Sequence, residues 1–259
     1  MGELLRWWRE QRRLSQLALS IQAEISTRHL SFVETGRAAP SREMVLRLAE
    51  QLAVPLRQRN SLLLAVGYAP SYGETGLESP EMAAVRAAVR QVLTGHEPFP
   101  ALAMDRHWNL VDANTSLGRM IGDAAPELLT PPVNVLRLSL HPDGIAPRIV
   151  NLGEWRAHLL ARLRRQAALT ADPDLAGLYA ELRGYPCAEP HPEIDTPGPG
   201  AVVVPLRLRS EGMELAFFGI AASFGIPTDI TVEELAIELF FPSDEATRAA
   251  LQAAYPAPA

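Results

Sequence analysis

The chain has 259 residues, of which 47% are hydrophobic, and a formal net charge of −6. This length favours two modest domains with sizeable cores. The absence of an apolar run of about 18 residues excludes a membrane span. A single cysteine, Cys187, excludes an intramolecular disulfide framework. The segment MGELLRWWREQRR lacks the apolar core of a signal peptide, so we expect a cytoplasmic protein.

Positive charge is concentrated at the start of the chain. Residues 1–70 contain ten arginines against six acidic residues, whereas residues 71–259 contain fourteen arginines against twenty-four. Such asymmetry indicates a basic module that meets an anion, joined to an acidic body.

The first 70 residues are predicted to form short helices. Ser15, Ser26 and Ser41 each stand where a serine side chain can cap a helix start. Gly36 is typical of a residue that ends a helix, and Pro55 breaks the fourth helix before a fifth begins. The predicted helices cover residues 2–13, 16–22, 26–36, 42–52 and 56–68. The pattern therefore predicts an all-α domain of five helices over residues 1–70.

The second and third helices are spaced as a helix-turn-helix, a motif whose second helix enters the DNA major groove. The run LSQLALSIQAEISTRHLSFVETGRAAPS, residues 14–41, resembles the Xre-type (lambda-repressor-like) helix-turn-helix family. The matching landmarks are Leu14-Ser15-Gln16, Glu34-Thr35-Gly36 and Pro40-Ser41. Two positions depart from that family: Glu24 stands where the turn usually has glycine, and Ser20 stands where helix 2 usually has alanine.

The resemblance assigns roles to the polar residues of this segment. It implies that Arg28 bonds a guanine, that Phe32 touches a thymine methyl group and that Gln16 bonds a phosphate. It also implies an inward ion pair between Glu34 and Arg9. The candidate DNA-binding residues are Gln16, Thr27, Arg28, Ser31, Phe32, Arg37 and Arg42. The alternative is a helical protein-interaction module with a solvated polar face.

Residues 71–81 are rich in Pro, Gly and Ser and are predicted to be a linker. Residues 82–259 are predicted to be an α+β domain. Its elements are a helix over 82–96, a hairpin of ALAMD and WNLVD, helices over 113–123, 152–170 and 172–186, strands over 201–209, 213–225 and 235–242, and a helix over 243–255. A five-stranded antiparallel sheet with helices on one face fits this order, which is the PAS layout.

Two runs in this domain carry a second resemblance. VNVLRLSLHPDGIAPRIVNLGEWRAHLLARLRRQ and the later HPEI resemble the ligand-binding domain of MmyB-like transcription regulators, although Asp195 departs from that family's pattern. The resemblance covers about residues 82–254. It implies a PAS-related sensor behind an Xre-type helix-turn-helix, and a small apolar effector of the fatty acid class.

The candidate ligand-binding residues fall into two groups. Large adaptable side chains that can line a pocket are Met104, Trp108, Met120, Phe217, Phe218 and Phe241. Polar side chains that can hold a carboxylate are Asn114, Arg137 and Arg148. The alternative is a filled core, with each polar group in a structural role.

Other function classes find little support in the sequence. No GxSxG, P-loop, HExxH or CxxC motif is present, so we expect no enzyme and no cofactor apart from a bound fatty acid. His191, Glu193 and Asp195 alternate like strand ligands but lack a further ligand, so we expect no metal site.

The expected partners are double-stranded operator DNA, the apolar ligand and a second copy of the chain. We expect a homodimer because one helix-turn-helix makes few DNA contacts. The alternative is a regulator whose C-terminal domain only dimerises or binds a partner protein, without an effector.

Overall fold

A computed structural model of the chain describes residues 1–189, 204–210 and 212–254. The helices are α1 (Gly2–Gln11), α2 (Gln16–Gln22), α3 (Thr27–Glu34), α4 (Arg42–Gln51), α5 (Leu56–Leu64), α6 (Ala83–Gly95), α7 (Thr115–Ile121), α8 (Val135–Leu140), α9 (Leu152–Thr170), α10 (Pro173–Arg183), α11 (Ile230–Glu233) and α12 (Glu245–Ala254). The strands are β1 (Ala101–Met104), β2 (Leu110–Ala113), β3 (Leu206–Ser210), β4 (Met213–Ala222) and β5 (Ala236–Pro242). No helix among these is long and apolar enough to cross a membrane.

The chain divides into two compact units. The first unit comprises Met1–Gly76 together with Gly225–Glu233, and the second comprises the remaining residues. The first unit therefore contains α1–α5, as predicted, and also a segment from far along the sequence.

The predicted helix starts in the first unit are confirmed. The side chains of Ser15, Ser26 and Ser41 each accept a hydrogen bond from the backbone N–H three residues later. These bonds satisfy N–H groups that have no partner inside the helix. Gly36 follows α3 with a φ of +74°, which favours glycine, and it ends the helix as predicted.

The core of the first unit is formed by Leu5, Trp8, Leu30 and Leu48, with the buried face of α2. That face is formed by Leu19 and Ala23. Leu17 and Ile21, which share an apolar stripe in the sequence, are exposed instead. Both pairs of residues are four positions apart, so the spacing of apolar residues in this seven-residue helix could not show which pair is buried.

Residues 225–233, here called the strap, complete the first unit. Ile230 of the strap is buried, and its N–H donates to the Gly73 carbonyl at 2.9 Å. The Glu233 carboxylate accepts a hydrogen bond from the Leu56 N–H at 2.7 Å. Since Pro55 offers α5 no side-chain cap, Glu233 acts as that cap from outside the helix. The strap lies within residues 82–259, the range predicted for the second domain.

Among the described residues, the second unit contains a five-stranded antiparallel sheet in the order β2-β1-β5-β4-β3. The predicted α+β class with an antiparallel five-stranded sheet is confirmed. β3 begins at Leu206, while part of the predicted strand over 201–209 lies outside the described residues. α8 was not predicted, and the Asn134 side chain caps it.

Three local predictions in the second unit are wrong. The pattern of the sequence predicts that Arg156 faces outward, that Val92 belongs to the core side of its helix and that Ser243 caps the last helix. Arg156 is buried because it donates to carbonyl groups at the C-terminal end of α10, where unpaired carbonyls need donors. On α6, Leu93 is buried and Val92 is exposed. Asp244, rather than Ser243, caps α12 by accepting a hydrogen bond from the Thr247 N–H at 2.7 Å.

Candidate functional site

The turn between α2 and α3 has four residues and retains the geometry of a helix-turn-helix. Glu24 adopts a φ of +54°, the left-handed conformation that glycine usually supplies there. The Ser20 hydroxyl lies 2.8 Å from the Thr27 hydroxyl, so this departure from alanine adds a bond between the two helices. The two departures therefore preserve the motif, at the expense of backbone strain at Glu24.

The expected ion pair between Arg9 and Glu34 is confirmed, and both side chains are buried. Arg9 Nε donates to Glu34 Oε1 at 2.7 Å, and Arg9 Nη2 donates to Oε2 at 3.0 Å. The hydrogen bond to Glu34 raises the pKa of Arg9. Gln16 Nε2 also donates to Glu34 Oε2, at 2.8 Å. Glu34 thus joins α1, α2 and α3 through charge-assisted bonds.

The exposed side of α3 carries the side chains predicted to reach DNA bases. Arg28 is exposed, and its guanidinium lies 5.4 Å from the centre of the Phe32 ring. This cation–π contact orients the arginine along the helix surface. Ser31 is half-buried, and the Thr27 hydroxyl is engaged by Ser20.

The remaining candidate DNA-binding residues, Arg37, Arg42 and Gln16, differ in their surroundings. Arg37 is exposed just beyond α3. Arg42, at the start of α4, donates to the Ser71 hydroxyl at 2.6 Å. Gln16 is half-buried and held by Glu34. DNA contact at all seven positions stays a prediction.

The second unit contains an apolar cavity of about 70 Å³, lined by residues of β1, β2, β3, β5 and of the helices α7, α8 and α9. Three of the predicted ligand-binding residues, Met104, Trp108 and Met120, line it. Trp155 and Leu159 of α9 form the facing wall. An apolar cleft with few polar groups is the usual form of a small-molecule site.

The size of this cavity limits what it holds in this conformation. It is smaller than the engineered cavity of about 150 Å³ that binds benzene. A second cavity of about 170 Å³ shares Met120 as a wall and is also lined by Arg148 and Phe217. A flexible methionine therefore borders both spaces, and an extended chain would have to displace wall side chains such as this one.

The polar end of the first cavity is an ion pair that sequence analysis missed. Arg162 of α9 donates to both carboxylate oxygens of Glu238 on β5, at 3.3 and 3.1 Å. The Arg162 guanidinium lies 4.9 Å from the centre of the Trp108 ring. A Cβ on Gly219 would lie 2.7 Å from Glu238 Oε1, so the glycine leaves room for the carboxylate in this position. The sequence did contain one indication of this site, because Glu238 stands inside the apolar run LAIELFFP, residues 235–242.

A histidine stands beside this ion pair. Burial, together with the positive charge of Arg162, lowers the pKa of His158. Its ring stacks on Trp155, with 5.6 Å between ring centres. His158 is therefore neutral near neutral pH.

Six of the predicted ligand-binding residues lie outside the described lining of the first cavity. Two of the six, Arg148 and Phe217, line the second cavity, and the other four line neither. Asn114 caps α7, and its side chain also bonds the backbone at Ala101 and Phe99. Arg137 forms a bidentate pair with Glu181, whose pKa this pairing lowers. The remaining two, which stack on each other at 5.4 Å, are Phe218 and Phe241.

One side-chain cluster has the composition of a metal site. His107, Asp172 and Asp174 offer ligand atoms within 4.8 Å of one another. The Asp172 carboxylate already accepts a hydrogen bond from Arg106 at 3.0 Å and lies 3.1 Å from the His107 ring nitrogen. The histidine and acidic residues considered in the sequence, His191, Glu193 and Asp195, lie outside the described residues.

Two family models match the chain. One, described as MmyB-like transcription regulator ligand binding domain, matches residues 85–254. The other, described as Helix-turn-helix domain, matches residues 1–62. No curated protein matches the chain. The matches coincide with the part that carries α2 and α3 and with the part that carries the apolar cavity.

Proposed function

Because this chain belongs to the family that carries the MmyB-like transcription regulator ligand binding domain, we propose that it is a transcription regulator of the Xre type, and not an enzyme, controlled by a small apolar ligand. The observation that carries this proposal is the presence, in one chain, of a helix-turn-helix and an apolar cavity. It acts on double-stranded operator DNA in the cytoplasm. It binds as a homodimer, because two half-sites on one face of the duplex raise both affinity and specificity.

Base recognition is assigned to the exposed side of α3. Arg28 has the exposure and the planar donors needed for a guanine, and Phe32 holds it along the helix. We expect Arg28→Ala to weaken operator binding by about 1–3 kcal/mol and to relax the preference at one base pair. A binding selection from random duplexes measures this, with Arg6→Ala on the exposed surface of α1 as control. An unchanged base preference in Arg28→Ala would remove this contact from the proposal.

The effector is assigned to the fatty acid class, on the basis of the apolar lining that includes Met104, Trp108 and Met120. Denaturing the purified protein, extracting it with organic solvent and analysing the extract by mass spectrometry tests the assignment. A stoichiometric lipid that also changes operator affinity in titrations supports it.

The small volume of the cavity favours a second candidate, a C-terminal domain that only dimerises or binds a partner protein. An empty extract, with no thermal shift from a panel of lipids, would support this candidate. A ligand that shifts both the melting temperature and operator affinity would reject it.

A further inference from the structure

The first cavity holds one charged pair, Arg162 with Glu238, in a described lining that is otherwise almost entirely apolar. We propose that this pair is the head-group subsite of the ligand, and that it selects an uncharged polar head that both donates and accepts hydrogen bonds. Primary alcohols and primary amides with an apolar tail are of this class. The inference rests on the proposed function, in which the cavity takes an apolar ligand.

The pair is built into the wall and is held in place from several sides. The Glu238 side chain is 9% exposed and the Arg162 side chain is 29% exposed. Trp108 lies against the guanidinium, and its indole N–H donates to Gln166 Oε1 at 2.7 Å. The two hydrogen bonds between Arg162 and Glu238 and the Trp108 contact therefore hold the pair in position without a ligand.

The charge balance of the subsite determines which head it accepts. Arg162 and Glu238 together are neutral, so an ionised carboxylate would bring a second negative charge beside Glu238. An ammonium group would likewise bring a second positive charge beside Arg162. His158 supplies no compensating charge, because burial lowers its pKa. Burying an unbalanced charge in such surroundings is costly.

A neutral head meets both partners without breaking the pair. An alcohol or amide can donate a proton to a lone pair of Glu238 and accept a bond from an N–H of Arg162. The Ser139 hydroxyl, which lines the same cavity and accepts the Trp155 indole N–H at 3.0 Å, still has its own proton to donate. A fatty acid would therefore enter in its protonated form, or as a neutral derivative.

The test compares four ligands with the same eight-carbon tail: 1-octanol, octanamide, octanoate and octylammonium. Their affinities for the full-length protein are measured at about pH 7.5, where the last two are ionised, by calorimetry and tryptophan fluorescence. We expect the two neutral ligands to bind at least about tenfold more tightly than either ion. We expect Glu238→Gln to raise octanoate affinity by about tenfold while changing octanol affinity little. Glu181→Gln, which breaks the Arg137 pair outside this lining, is the matched control and should keep the wild-type order.

Each outcome bears on a different statement. If octanoate binds the wild type as tightly as octanol, or if Glu238→Gln leaves their ratio unchanged, the head-group subsite is wrong while the ligand-binding function stands. If none of the four ligands binds, the result counts against the ligand-binding function, and the inference fails with it. If Glu238→Gln does not fold, the ligand order in the wild type decides alone.

Discussion

Removing the carboxylate of Glu34 should strongly destabilise the first unit. Glu34 is 1% exposed at its side chain, and Arg9 is 10% exposed. Glu34→Ala would leave the buried Arg9 guanidinium without its partner and would remove the acceptor of the Gln16 amide. Breaking a buried ion pair from one side costs about 3–5 kcal/mol. Since 1 kcal/mol shifts the midpoint of a domain of this size by about 4–8 °C, the melting temperature should fall by at least about 12 °C.

Thermal unfolding followed by far-ultraviolet circular dichroism measures this change. Glu43→Ala, which removes an exposed partner of Arg47, is the control and should leave the melting temperature unchanged. The double variant Arg9→Met with Glu34→Leu removes both charges and should recover most of the loss, because no buried charge is left unpaired. If the Glu34→Ala and Glu43→Ala variants have the same melting temperature, the ion pair of Arg9 and Glu34 does not hold the helices together.

Two further predictions concern the strained turn and the buried histidine. Glu24→Gly should stabilise the first unit by about 0.5–1 kcal/mol, because it relieves a left-handed backbone at some cost in chain entropy, and thermal unfolding without a rise would contradict this. The pKa of His158 is lowered in the folded protein, so the unfolded chain binds this proton more readily. The neutral histidine therefore contributes its full stability above the ordinary pKa of 6.5, and this contribution is lost as pH falls through the folded pKa. Urea unfolding between about pH 7.5 and 5.5 should therefore show a smaller loss in His158→Phe, and equal losses in both proteins would refute this cause.

The sequence could predict features that depend on near neighbours. The serine caps and Gly36 are local signals, and they placed α2 and α3 within a residue or two. Apolar periodicity likewise predicted the strands that form the antiparallel sheet. Asn114 is instructive, since the sequence offered it as a ligand donor, and in the structure its side chain caps α7 and also accepts a hydrogen bond from the Ala101 N–H.

Contacts between distant residues could not be predicted from local patterns, and the pair of Arg9 and Glu34 was expected only through the family resemblance. Arg162 and Glu238 are 76 residues apart and meet only because the fold brings α9 and β5 to the same cavity. Arg162 looked like an ordinary charged residue of its helix, and Glu238, although it stands inside an apolar run, gave no indication of its partner. The contact between Leu56 and Glu233 spans 177 residues, and no local pattern indicates that a glutamate after β4 serves a helix near the start of the chain.

The strap also means that the helix-turn-helix unit is discontinuous in sequence. A fragment cut at residue 76 would lack Ile230, which is buried in the unit, and Glu233, which caps α5. Exchange of DNA-binding parts between related regulators, in the laboratory or by recombination of genes, would have to transfer residues 225–233 with the first 76. Two segments that are far apart in the sequence thus form a single folding unit.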